Sequence, residues 1–139
     1  MNFLTQPDGT VPVIPVSWGE LVDRLTILEI KEQRLNSAAA RSNVRHELSA
    51  LKTMAEDAQL QQATILILME KLRIVNRTLW NVEDQIRARE ASQLFDEHFI
   101  QLARSVYINN DKRASLKRQI NEIMKSDFGE QKQYFEYSV

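Results

Sequence analysis

All three glycines and all three prolines lie near the ends of this chain: Pro7, Gly9, Pro12, Pro15 and Gly19 at the front, Gly129 at the back. The two residues that most readily interrupt a helix are therefore absent from Glu20 to Phe128. Leu, Ala, Glu, Gln, Lys and Arg fill that stretch, and it reads as helix after helix. The fold expected is an all-α helical bundle of four main helices built on a long antiparallel hairpin. At 139 residues it forms a single helical domain over 1–139, large enough to bury roughly two-thirds of its unfolded surface. Within it, 1–16 is an extended N-terminal arm, 17–125 the bundle and 126–139 an aromatic tail.

Val11 to Val16 is apolar but punctuated by Pro12 and Pro15, which makes it an arm or an edge strand. Ser17-Trp18-Gly19-Glu20 has the capping-box pattern, with Glu20 reaching back. The first helix then runs to about Leu35, with Trp18, Leu21, Leu25, Leu28 and Leu35 on one face. Asn36-Ser37 or Ser42-Asn43 opens a second helix with Val44, Leu48 and Leu51 inward. The polar stretch Ala55 to Gln62 is a connection. The third helix, roughly Leu60 to Ser92, carries Ile65, Leu68, Leu72, Val75, Leu79, Val82 and Ile86 at alternating spacings of three and four. It would be about 50 Å long, against a radius of gyration of about 14 Å for a compact chain of this size. A second copy of the chain covering it is the favoured explanation. After a turn near Gln93-Leu94, a fourth helix runs from about Asp96 to Lys125, with a break at Asn109-Asn110-Asp111 as the alternative. The tail holds Phe128, Tyr134, Phe135 and Tyr137, and is expected to dock on the bundle or a neighbour.

Composition narrows the function classes. Eighteen basic and nineteen acidic residues leave a formal charge of -1, so no global field favours nucleic acid or an anionic membrane. With no cysteine, disulfides, thiolate nucleophiles and cysteine-based metal sites are excluded. The two histidines, His46 and His98, do not follow a glutamate by three, as a di-iron bundle would need. No cofactor and no metal is called for. No membrane span is expected, and a cytoplasmic setting fits.

Polar residues interrupt the apolar rhythm of the fourth helix. Phe99, Leu102, Val106, Leu116, Ile120 and Ile123 keep it, while Asn109 and Arg113 fill the two slots between. In an antiparallel hairpin Asn109 faces the region of Asn76 and Thr78, and Arg113 that of Leu72 to Asn76. A guanidinium there needs a carboxylate or anionic partner, and Asp23 or Glu32 is the internal candidate. The plainer reading, a polar layer that fixes helix register, outweighs a binding site. Acid pairs such as Glu20-x-x-Asp23 and Glu29-x-x-Glu32 have a magnesium-chelating spacing, but occur no more often than chance. Arg113 and Lys117 are spaced to clamp a phosphate. The run Lys112 to Arg118 reads foremost as a solvated charged face.

Three stretches stand out together: Gly19-Glu20-Leu21-Val22-Asp23-Arg24-Leu25-Thr26-Ile27-Leu28-Glu29-Ile30-Lys31; Leu79-Trp80-Asn81-Val82-Glu83-Asp84-Gln85-Ile86-Arg87; and Ala103-Arg104-Ser105-Val106-Tyr107 leading into Asn110-Asp111-Lys112-Arg113-Ala114. They resemble a small bacterial all-helical family catalogued only as a domain of unknown function. The resemblance implies no activity, cofactor or catalytic residue, and a loose association with surface-polysaccharide genes. It directs attention to a polar layer or anion site comprising Asp23, Arg24, Glu83, Asn109, Asn110, Asp111, Arg113 and Lys117. The expected function is a non-enzymatic interaction or accessory module, homodimeric, with a possible protein partner. The alternative is a bundle that binds or acts on a phosphorylated small molecule such as a nucleotide-sugar, with Arg24, Arg113 and Lys117 on the anion and Asp23 or Glu83 as acid/base. Nucleic acid ranks last.

Overall fold

The computed structural model describes residues 11–57, 60–133 and 135–138. The front of the arm (1–10), part of the α2–α3 connection and Tyr134 lie outside the described residues. Four helices follow in order: α1 (Trp18–Arg34), α2 (Ala38–Asp57), α3 (Ala63–Ala91) and α4 (Glu97–Met124), with no strand among the described residues. The arm from Val11 is thus extended chain and not an edge strand. α2 keeps its helix into the stretch read as a connection.

Each boundary has a chemical cause. Ser17 caps α1, its Oγ accepting from the Glu20 amide at 3.1 Å, while its carbonyl takes the Leu21 amide. The two amides between are capped from the far end of the chain: Trp18 donates to Ser126 Oγ at 3.0 Å and Gly19 to Asn121 Oδ1 at 2.7 Å. The Glu20 side chain does not complete a capping box; it reaches Lys117 instead. Ser17→Ala should lower stability by about 1 kcal/mol in a denaturant titration. Ser37 opens α2 by accepting from the Ala40 amide at 3.2 Å. α3 ends at a turn in which Gln93 adopts the left-handed region at φ 55°, and Asp96 caps α4 by accepting from the Phe99 amide. That bond is the main cause holding the Asp96 carboxyl below its ordinary value.

α4 is continuous through Asn109-Asn110-Asp111. Asn109 turns its amide back onto the Ser105 carbonyl at 2.8 Å. A residue that caps helices well is thereby absorbed inside one. α3 and α4 form the antiparallel hairpin; α1 packs against all three other helices and α2 lies beside α1 alone. At 29 residues, α3 is about 44 Å long. The main core gathers Val22, Leu25, Leu48, Leu60, Ile65, Leu72, Leu116 and Ile120. Val82 and Leu102 are buried outside it, where the hairpin packs on itself.

Candidate functional site

The polar residues of α1 and α4 meet as an antiparallel ladder. Arg113, Lys117 and Asn121 recur every four residues and so share one face of α4. Opposite them α1 sets Asp23, Glu20 and Gly19 respectively.

The Asp23 rung is the most buried. Asp23 is only 1% exposed, yet every acceptor site is used. Arg113 donates through Nε at 2.9 Å to Oδ1 and 3.1 Å to Oδ2, and through Nη2 to Oδ2. Asn76 of α3 donates to Oδ1 at 2.9 Å and to Thr26 Oγ1 at 2.8 Å, and the Thr26 hydroxyl donates to the Asp23 carbonyl at 2.7 Å. Three helices therefore close one network, and no buried side-chain polar atom among the described residues lacks a partner. The bonds to Asp23 hold the Arg113 guanidinium above its ordinary value, against the opposite pull of burial.

Lys117 is the second rung, only 9% exposed. Its ammonium lies 2.7 Å from Glu20, 3.6 Å from Glu130 and 4.0 Å from Asp23. Glu130 also meets Lys132 at 3.1 Å. The cluster thus joins three acids to three bases. At the third rung the α1 backbone comes so near α4 that a Cβ on Gly19 would sit 2.4 Å from the Lys117 carbonyl oxygen.

The remaining residues singled out from the sequence are dispersed. Arg24 points away from the ladder and pairs with Glu47 of α2, and Glu32 pairs with Arg45 rather than Arg113. Asn109 bonds within α4 and contributes nothing to Asp23. Asn110 and Arg113 line a hollow of about 250 Å³ beside Glu20 and Lys117. Glu83 lines a separate groove of about 330 Å³ between α1 and α3, with Arg113 at its inner end. Asp111 accepts from the Tyr137 hydroxyl. Tyr137 also meets Tyr107 edge to face, centroids 5.2 Å apart, so the tail docks by that end while Phe135 stays 94% exposed. His46 and His98 are both exposed. Among the described residues no group of three or more metal-binding side chains is placed to hold an ion.

The bond to Asp111, aided by burial and the carboxylate charge, pushes the Tyr137 phenol up to about 12. A raised value means the contact is intact below the ordinary tyrosine range and is lost as pH rises through about 12. Alkaline titration of phenolate absorbance should therefore show a late-titrating tyrosine that disappears in Tyr137→Phe.

Thr26, Asn121, Ser126 and Glu130 were not legible as site residues. The signal that finds Asn121 is its place four residues beyond Lys117, on the same polar row.

Residues 13–137 match the family of unknown function DUF6165. The chain belongs to that family. No curated protein and no solved structure matches it. In this DUF6165 chain the ladder joins residues from the first and third of the recognisable stretches, Asp23 from one and Arg113 from the other. Nothing in the family's description gives those residues a role.

Proposed function

We propose that this DUF6165 chain is a non-enzymatic helical interaction module that works as a homodimer. The observation that carries the reading is the apolar surface left in solvent along the hairpin. Ile67 and Ile74 stand seven apart on α3, 57% and 54% exposed, and Ile100 and Tyr107 repeat the spacing on α4 at 47% and 43%. Seven residues are two turns, so each pair marks one line along its helix, the geometry of a coiled-coil seam. Leu94 and Phe95 add exposed apolar surface at the hairpin tip. Exposed apolar residues at this spacing are the ones a partner helix would cover, although Tyr107 already meets Tyr137 of the tail. The cysteine-free sequence and the family resemblance support a bacterial, cytoplasmic setting.

The test is mass by light scattering. Across a micromolar dilution series the chain should weigh twice 16.2 kDa, and Ile67→Glu/Ile74→Glu should shift it toward half that mass. A monomer at every concentration overturns the reading.

A second reading, binding of a phosphorylated metabolite, is favoured by one observation. The Arg113 side chain remains 30% exposed, and its Nη1 makes no hydrogen bond among the described residues. The charge balance works against it, because an anion beside Arg113 and Lys117 would also meet Glu20 and Glu130. A thermal-shift screen with nucleotide-sugars and sugar phosphates separates the two. Ligand at a hundred times its Kd adds about 2.7 kcal/mol, whereas an interaction module gives a flat screen.

A further inference from the structure

The groove between α1 and α3 and the described part of the N-terminal arm are complementary in chemistry, both being largely apolar. The groove is lined by Ile27, Ile30 and Leu79, with Trp80 beside them and Glu83, Asp84 and Arg87 as its further charged residues. Arg113 has its charge taken up by Asp23 and Arg87 lies 4.0 Å from Glu83, so the lining holds no excess of positive charge and does not invite a phosphate. The arm Val11-Pro12-Val13-Ile14-Pro15-Val16 carries no charge at all. It is largely exposed, Val11 to 59% and Ile14 to 71%, with Val13 half-buried.

The proline spacing gives the arm a shape. Polyproline II has three residues per turn, so Pro12 and Pro15 stack on one face, Val11 and Ile14 on the second, Val13 and Val16 on the third. A preformed, low-entropy helix of this kind docks into aromatic-lined grooves, and Trp80 supplies the aromatic wall. We propose that the arm of one copy seats in the α1–α3 groove of a second copy, Pro12 and Pro15 against Trp80, with the exchange reciprocal.

Geometry favours the second copy over the arm's own groove. Ser17 is fixed as the α1 cap, and Ile27 lies ten residues further along the helix, about 15 Å away. The six arm residues span only about 19 Å as polyproline II. Seating in the same chain would need a full reversal at Ser17 and the whole length of a stiff arm. Reaching a neighbour needs neither. Six arm residues and a nine-residue groove make a smaller surface than the roughly 20–30 residues a side of a standard interface, so the exchange is expected to hold at micromolar concentration.

This proposal rests on the homodimer reading, and the experiment separates their failures. The natural chain has no cysteine, so single thiols report cleanly. An affinity-tagged Ile14→Cys chain is mixed with an untagged Asp84→Cys chain and treated with a short thiol cross-linker. The expected product is a covalent tagged–untagged pair, with none when Ile14→Cys is mixed with the exposed control Lys52→Cys. Cross-linking confined to a doubly substituted chain, without change of mass, would show the arm in its own groove and overturn the proposal. Light scattering of Ile14→Asp supplies the second arm: its dimer Kd should rise at least tenfold. An Ile14→Asp dimer as tight as the natural one leaves the homodimer standing and removes the arm from it. A natural chain that is monomeric throughout removes both.

Discussion

Arg113→Met is expected to be the most damaging single surface-proximal change, lowering stability by about 3–5 kcal/mol, the usual cost of stranding a buried charge. The Arg113 side chain is 30% exposed, but Asp23, the group left behind, is 1% exposed. Water that reaches the arginine does not reach the carboxylate. Asn76 alone remains to donate to it, with Lys117 4.0 Å away. In a chain of this size the loss should lower Tm by roughly 10–15 °C. The cause is checked by the double variant Asp23→Asn/Arg113→Met, which keeps the shape of the acceptor and removes its charge. It should recover more than half of the lost stability, since an ion pair replaced as a pair is often close to neutral. A double variant no better than the single would show that packing of the arginine stem, not the stranded charge, was lost.

Gly19→Ala is expected to destabilise as well, against the sign that helix propensity alone gives. In an open helix position the change would favour folding by about 1 kcal/mol. Here the new Cβ would stand 2.4 Å from the Lys117 carbonyl oxygen and 2.8 Å from Asn121 Oδ1. The first of these is backbone, held in the α4 hydrogen-bond pattern, and cannot swing aside. Helix α1 must back away from α4, straining the Gly19–Asn121 and Glu20–Lys117 rungs together. A net loss of about 1–3 kcal/mol follows from overpacking of this kind. Gly129→Ala is the control, for its Cβ would meet only Asn121 Nδ2 at an ordinary 3.9 Å. It should be neutral or mildly stabilising. Equal behaviour of the two variants in chemical denaturation would refute the close approach at Gly19.

The helices were legible because periodicity and breakers are local signals. Leu68, Leu72, Val75 and Val82 are buried as their spacing requires, and Asp96 and Lys125 bound α4 as expected. The Asp23–Arg113 pair was legible as one of two options. A buried guanidinium needs a carboxylate, but sequence spacing alone does not separate Asp23 from Glu32, which the fold turns toward α2. The capping of α1 by Asn121 and Ser126 was not legible. The partners are 102 and 108 residues apart, and no local pattern at Trp18 or Gly19 announces a donor satisfied from so far. Asn109 misled for the opposite reason: its bond to Ser105 is local, and it removes the residue from the layer its spacing suggested.

The ladder has a consequence for how α1 finds its place. Charge by itself is an ambiguous code here. Slid one turn along α4, Asp23 would still face a cation, Lys117 in place of Arg113, although Glu20 would then lose Lys117 for the neutral Asn121. What breaks the tie is steric: the spot against the Lys117 carbonyl admits a residue without a Cβ, and α1 holds a single glycine. The ion pairs draw the two helices together over a range of offsets, and one missing side chain selects among them.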